Sequence, residues 1–419
     1  MFTPSRADPT ALPRLLAGID PSGQPLSLVA HERLNGPLPR LKPAQLIDAV
    51  ARSGLRGRGG ADFPTARKLQ AIAVRRGASA VIVNGSETEP ASRKDALLLS
   101  CLPHLVLDGA LLAAGAIGAR EVIVALREGG GASPTALAQA IRERPEPIPI
   151  RLSLGPGGYV SGEETAVINR LSGGRPVPRF VPPRPYERGY RRAPTLVQNA
   201  ETLAQLALIA RFGASWFRAL GTDADPGTVL VTVSGALAAP GVYELAFGTP
   251  LAELVQAAGG PTEPLQAFLI GGYFGAWVSC ARASGLRLSR AELGARGLSL
   301  GAGVLVALGR SGCGLHESAR LARYLAAQSA GQCGPCVHGL AAIADTFEAL
   351  VEGSADRGAR RRLERWCEEV RGRGACRHPD GAVRLIASAL ETFGEQLAEH
   401  ARGECSALST ALPLQEARP

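Results

Sequence analysis

Lysine is nearly missing from this chain. Lys42, Lys68 and Lys94 are the only three among 46 basic residues, so a net charge of +9 rests almost wholly on arginine. Aromatic residues are also scarce, at 5% of 419 residues, and no basic stretch is interleaved with them. Nucleic-acid binding wants a cationic track beside stacking rings, so nucleic acid is excluded as a partner. No long apolar run exists. Leu105–Ile117 is broken by Asp108 and glycines and is too short to span a bilayer. Nothing at the N-terminus reads as a secretory signal. The expectation is a cytoplasmic protein without direct membrane insertion, with peripheral attachment to a membrane complex left open. Charged residues reach only 20% against 46% apolar ones, which excludes a disordered chain. Internal repeats and low-complexity blocks are absent. What the basic balance does fit is an acidic protein partner, such as a ferredoxin-like electron carrier.

The length predicts two to three domains. Ala80–Val83 and Glu121–Ala125 read as short buried strands. Leu97–Ile117, Pro134–Arg144 and Gly162–Leu171 read as helices. This alternation predicts an α/β layer with a mostly parallel sheet. Residues 173–194 carry too many prolines for helix or central strand and read as a long ordered loop. Near residue 226 the pattern changes. Thr228–Ser234, Gly241–Leu245, Phe268–Ile270 and Gly303–Ala307 read as strands around a helix at Pro250–Ala258. That is a small α+β unit, consistent with a β-grasp. Helical segments follow at 317–328, about 336–352, 356–371 and 382–401, which implies a four-helix bundle. The expected domains are 1–225, 226–312 and 313–419.

Five motifs carry chemistry. In Gly54–Lys68 (GLRGRGGADFPTARK), Gly57, Gly59 and Gly60 permit close backbone approach before a helix N-terminus, and Arg56, Arg58 and Lys68 add positive charge. VNGSETEPASRKD follows a strand and offers Asn84, Ser86, Glu87 and Glu89. GPGGYVSGEETAVINRL again joins strand, glycine turn and helix, with Glu163 and Glu164 in the first helical turn. Their plain role is to meet the helix dipole, and their sharper role is to bind nucleotide hydroxyls. Asn199 and Thr202 stand at a loop–helix junction, where capping is the plain alternative. Finally Cys333 and Cys336 form C-x-x-C, with Cys376 about forty residues on. Thiolates in that pattern grip zinc or an iron–sulfur cluster. Cys101, Cys280 and Cys367 read as buried small residues.

In order and spacing these motifs resemble one family over nearly the whole chain. It is the NADH-binding flavoprotein subunit of respiratory complex I, with its relatives in NAD-linked hydrogenases and formate dehydrogenases. The resemblance implies an FMN-binding α/β domain, a β-grasp-like soluble-ligand-binding domain and a C-terminal four-helix bundle that bears a [4Fe–4S] cluster. It implies FMN contacts from Gly57, Arg58, Gly59, Gly60, Lys68, Asn84, Glu87, Tyr159, Gly162, Glu163, Glu164, Asn199 and Thr202. Glu89 would lie near the nicotinamide end, and Cys333, Cys336 and Cys376 would be metal ligands. No proton-transfer residue is required, because the flavin performs the chemistry. A separate iron–sulfur carrier and a larger redox complex are the implied partners.

This chain departs from the family pattern at both ends of that path. Ala330 stands where the cluster motif has a fourth cysteine. Three thiolates suit a [3Fe–4S] centre, or a [4Fe–4S] centre with a non-cysteine fourth ligand drawn from His338, His378 or Cys313. Asp62 replaces a glycine and is expected to add bulk and negative charge beside the pocket. Ala71 replaces an aromatic, and Val181 and Arg184 replace a Lys and a Phe of the crossing. These changes leave open whether NADH, NADPH or a ferredoxin-like partner supplies the electrons. Two other readings stand: a non-catalytic scaffold subunit of a redox complex, and a small-ligand module confined to residues 227–310.

Overall fold

The computed structural model describes residues 8–75, 77, 80–405 and 412–414. The ends of the expected first and last segments, 1–7 and 415–419, lie outside the described residues. Four short strands form the first sheet: β1 (Ala80–Asn84), β2 (Glu121–Arg127), β3 (Ile150–Gly155) and β4 (Thr195–Asn199). Their order is β3-β2-β1-β4, and every pairing is parallel. Val81, Ile82, Val83, Val122, Ile123 and Val124 are fully buried, as expected for β-branched runs covered on both faces. The stretch expected as loop before Asn199 is instead β4, which pairs with β1 from Ala80–Thr195 to Asn84–Asn199. Its apolar run is only Leu196 and Val197 before the polar Gln198 and Asn199, unlike the β-branched run of β1.

Helices α1 (Pro43–Ser53) and α2 (Thr65–Ala73) precede this sheet. The helix expected over 97–117 is two, α3 (Lys94–Cys101) and α4 (Pro103–Ile117), bent 94° apart. Pro103 forces the break: the residue before a proline is pushed out of helical geometry, and Leu102 sits at φ −126°, ψ 47°. α5 (Glu164–Leu171) follows β3, and α6 (Ala200–Arg218) follows β4. α4 and α6 touch at Gly109, where a Cβ would overlap the Leu203 carbonyl at 1.9 Å. Behind the sheet, Asp108 of α4 pairs with Arg144, Arg211 and His31 (2.7 Å to His31). Its carboxyl is buried, yet those partners hold its pKa at about 2.

The second sheet contains β5 (Thr228–Gly235), β6 (Gly241–Ala246), β7 (Leu265–Ile270), β8 (Ala276–Ser279) and β9 (Val304–Gly309), in the order β6-β5-β9-β7-β8. β5 and β9 run parallel and the other pairs are antiparallel. The four-residue β8 adds a strand that the sequence pattern does not mark. α7 (Leu251–Ala257) buries Leu251, Leu254 and Val255 against this sheet.

After the second sheet come α8 (Gly314–Ala327), α9 (Ala341–Val351), α10 (Ala359–Val370), α11 (His378–Phe393) and the short α12 (Leu397–Ala401). Leu321, Leu325, Ile343, Phe347, Leu363, Val383 and Ile386 share one core among them. In α10, Leu363, Cys367 and Val370 are buried, leaving an arginine-rich outer face. Among the described residues, no single helix is long and apolar enough to cross a membrane.

Candidate functional site

Parallel sheets bind ligands beyond the C-terminal ends of their strands. Here Asn84 ends β1 and Asn199 ends β4, side by side. The Gly54–Lys68 loop arches over them. It is pinched where the Gly57 N–H donates to the Phe63 carbonyl at 2.9 Å. Gly59 presses on Asn199: a Cβ there would come within 3.2 Å of the Asn199 Cβ. Gly60 has φ +94°, a conformation that favours glycine. The Arg58 N–H donates to Thr202 Oγ1 at 2.9 Å, and Asn199 Oδ1 accepts from the Thr202 N–H at 3.3 Å. Asn84 Nδ2 donates to the Gly162 carbonyl at 2.8 Å. Glu163 caps α5, accepting from the Thr165 and Ala166 N–H groups at 2.8 and 3.1 Å. Lys68 Nζ reaches Glu164 Oε2 at 2.7 Å and the Val197 carbonyl at 3.1 Å. The loop, the two asparagines, Thr202, Lys68, Gly162, Glu163 and Glu164 therefore meet on one rim.

Three expected residues are engaged differently. The Arg58 guanidinium points away from the rim, to the Thr228 carbonyl at 3.1 Å and over the Phe247 ring at 4.7 Å. Burial lowers its pKa to about 10. Only its backbone belongs to the rim. Glu87 accepts from Ser92 Oγ at 2.6 Å and from the Asp95 and Ala96 N–H groups at 2.9 and 2.8 Å. It thus caps α3, and burial raises its pKa. The Tyr159 hydroxyl donates to Glu89 Oε2 at 2.8 Å, and the Tyr273 N–H donates to the same oxygen at 2.9 Å. Burial pushes the Glu89 carboxyl up to about 7.

Two features escape the sequence. A buried ionic group underlies Asn199: its Nδ2 donates to Asp95 Oδ2 at 2.6 Å, and Lys94 Nζ lies 2.9 Å from Asp95 and 3.0 Å from Glu201. Charged residues with the burial of core residues leave no periodic signal. The second feature is Tyr186, whose ring lies 4.9 Å from the Arg75 guanidinium. Arg75 in turn donates to the Ala71 carbonyl. An aromatic from the proline-rich crossing thereby stands close to the position where Ala71 lacks one. The expected negative charge at Asp62 is neutralised, since Asp62 pairs with Arg56 at 2.9 Å and Arg290 at 2.5 Å. Asp62 has φ +51°, a region where glycine is at ease and aspartate is tolerated. Val181 and Arg184 are exposed. Below them a cleft of about 730 Å³ is lined by Arg179, Phe180, Arg188, Tyr190 and Arg192.

The rim fits a flavin nucleotide. Two glycines lie where side chains would intrude, for a Cβ on Gly162 would stand 2.9 Å from Thr88 Oγ1, as Gly59 presses on Asn199. Thr65 Oγ1 and Gln198 Nε2, at the start of α2 and beside Asn199, are buried without a hydrogen-bond partner, as groups that await a ligand would be.

The thiols lie at the far end of α8. Cys333 precedes a wide π-type turn at Pro335–Leu340, Cys336 lies in its first turn, and Cys376 precedes α11. Burial, then the neighbouring Cys333 and Cys376, push the Cys336 thiol up to about 12. Three thiols close enough to bear electrostatically on one another fit an iron–sulfur cluster, whose iron would deprotonate them. Of the suggested fourth ligands, His338 is exposed. His378 donates through Nε2–H to the Leu325 carbonyl at 2.7 Å, leaving a buried Nδ1 without a partner. Cys313 is excluded by distance: it opens α8, and that helix holds it about 20 Å from the other thiols.

The two sites share a wall. The Tyr159 N–H donates to Gln328 Oε1 at 2.8 Å at the end of α8. Its ring packs edge-on against Tyr324 and His378, at 6.1 and 5.8 Å. The Glu163 carboxyl bears electrostatically on Cys376.

Comparison with known proteins agrees with this geometry. The Nuo51 FMN-binding domain family matches residues 50–208, the SLBB domain residues 230–271, and the NADH-ubiquinone oxidoreductase-F iron-sulfur binding region residues 316–400. An NADH-quinone oxidoreductase subunit of Rhizobium meliloti (strain 1021) is 32% identical, with 93% of this chain and 97% of the relative covered. The corresponding NADH-quinone oxidoreductase subunit of Streptomyces coelicolor is also 32% identical, with 87% and 84% covered. Among solved structures, the NAD+-reducing [NiFe]-hydrogenase in its H2-reduced state matches with a TM-score of 0.79 and 33% identity over 85% of this chain. This chain spans 63% of that hydrogenase chain. With sequence, fold and site geometry in agreement over almost its full length, the chain belongs to the family of FMN- and iron–sulfur-binding subunits of NADH-quinone oxidoreductase.

Proposed function

We propose that this chain binds FMN and an iron–sulfur cluster, oxidises NADH, and passes the electrons to an iron–sulfur carrier protein within a larger complex. When bound, FMN accepts a hydride and releases its two electrons singly, which is chemistry the side chains cannot supply. The chain's own residues hold and isolate it. The backbone of Gly57, Arg58, Gly59 and Gly60 offers N–H groups near a helix start, which suits a phosphate. Asn84, Asn199, Thr202, Lys68, Glu163 and Glu164 supply polar contacts, and Gly162 leaves room for them. Glu87 acts at one remove by fixing the start of α3. Tyr159 orients Glu89 beside the hydride donor, and burial, by raising the Glu89 pKa to about 7, makes its charge there smaller than that of an ordinary carboxylate. Cys333, Cys336 and Cys376 would hold the cluster.

The observation that carries this reading is Tyr159, which bonds Glu89 on the flavin side and Gln328 on the thiol side. One-electron transfer needs its two redox sites close together, and a residue that touches both sides keeps them so. The domain limits follow as 1–225, 226–312 and 313–419. The strand order β6-β5-β9-β7-β8, with a parallel central pair, supports a β-grasp for the second. Successive packing of α8 to α11 around one core supports a four-helix bundle for the third. Exposed arginine on α10 suits an acidic carrier, and the cytoplasmic side is the proposed location.

The experiment is anaerobic purification with FMN and iron counted per chain, followed by NADH-driven reduction of an artificial one-electron acceptor. One flavin, about three to four irons and NADH-dependent turnover are expected. A folded chain without flavin sinks the proposal and leaves the scaffold reading.

A further inference from the structure

A second group of soft ligands lies at the opposite end of α8 from the cluster thiols. Cys313 caps α8, His400 belongs to α12, and Cys405 follows it. The ligand atoms of all three lie within 4.8 Å of one another. Cys313 Sγ is 3.2 Å from His400 Nε2. The other ring nitrogen of His400, Nδ1, donates to the Val351 carbonyl at 2.6 Å. That bond fixes the tautomer with a free lone pair on Nε2, aimed at the sulfur. A backbone carbonyl holding the distal nitrogen is the usual support of a metal-binding histidine. Both cysteines are free thiols, so no disulfide accounts for their closeness.

We propose that Cys313, His400 and Cys405 bind one zinc ion. Two thiolates and an imidazole match the preference of zinc for soft and borderline ligands, and three such ligands leave the fourth tetrahedral position to water. Cys405 is exposed whereas Cys313 and His400 are buried, so the ion enters and is hydrated from the Cys405 side. The cluster thiols do not fall within the same tight radius among the described residues. That difference suits a single ion here and a polynuclear cluster there. The zinc would pin the chain leaving α12 to the start of α8, and through Val351 to the end of α9. Beyond the pin, Leu412 is buried in the helical core and Pro413 accepts a hydrogen bond from the Tyr273 hydroxyl. Tyr273 also holds Glu89, so the pin steadies a strand of contacts that ends at the flavin side.

The test loads the full chain with Zn2+ alone, dialyses it, and counts zinc by mass spectrometry. It is run on the wild type, Cys405→Ser and His400→Gln, each also carrying Cys336→Ser so that zinc cannot lodge at the cluster thiols. About one zinc per chain is expected without the two site substitutions, with X-ray absorption showing two sulfur neighbours at about 2.3 Å and nitrogen or oxygen at about 2.0 Å. Either site substitution should weaken binding at least tenfold. Cys405 is exposed, so Cys405→Ser keeps the fold, which circular dichroism verifies. Zinc retained equally by both variants overturns the proposal. So does a folded chain that retains no zinc, including one in which a mass two hydrogens lower reveals a Cys313–Cys405 disulfide.

Discussion

The flavin rim and the cluster end answer sequence change in opposite ways. At the rim each departure has a local remedy. Asp62 is paired by Arg56 and Arg290, and Tyr186 stands near the ring missing at Ala71. At the cluster end Ala330 replaces a ligand outright, and of the suggested set only the buried, unpartnered Nδ1 of His378 is left to stand in for it. A nucleotide is held by many weak contacts, most of them to backbone, so one can be lost and compensated. A metal centre is held by a few strong bonds, so one lost ligand changes the centre itself. Substitutions should therefore act gradually at the rim and abruptly at the thiols.

The sharpest break between the two regions is Cys336→Ser. It should abolish the iron–sulfur absorbance and iron content while FMN stays bound. Loss of flavin along with iron would show that the two regions do not behave separately. Next comes Asp108→Asn, behind the parallel sheet. Removing a buried carboxylate leaves Arg211 without its ion-pair partner and Arg144 with Glu146 alone, and should cost about 3–5 kcal/mol of stability, read from denaturant unfolding. The cluster of the remaining folded protein should keep its spectrum.

A smaller effect concerns pH. The folded pKa of Glu89 is raised by burial to about 7, from 4.5. Its protonated form is the favoured one, so the stabilisation is full below 4.5 and is lost as pH rises through about 7. The size is on the order of 3 kcal/mol. Glu89→Gln should flatten that slope, and an unchanged profile of unfolding midpoints against pH would contradict it. The mildest change is Gly59→Ala. Its Cβ would press on Asn199 at 3.2 Å, and FMN affinity should fall about tenfold, or roughly 1.4 kcal/mol, by fluorescence titration. No change would mean that Gly59 does not shape the rim.

Glycine loops and C-x-x-C spacing announce the flavin and thiol sites, because those residue types are needed at fixed short intervals. Strands β1 and β2 are legible as β-branched runs. β4 and β8 are not: β4, as long as β1, ends its apolar run at the polar Gln198 and Asn199, and β8 has only four residues. Glu87 reads from sequence as a flavin contact because nothing there says whether a carboxylate faces a ligand or the start of the next helix; here Asp95 and Ala96 claim it. Cys313 falls among the wrong thiols for a similar reason. Only the folded helices show that it stands with His400 and Cys405, residues far along the chain with no motif between them.

The proposed function stands or falls on NADH feeding this flavin despite Ala71, Val181 and Arg184. Its most direct test is an anaerobic absorbance titration of the purified chain with NADH, then NADPH, then dithionite. NADH is expected to bleach the flavin band before dithionite is added. A flavin that ignores both dinucleotides and bleaches only with dithionite would contradict that role, and would mean that electrons reach FMN from another protein.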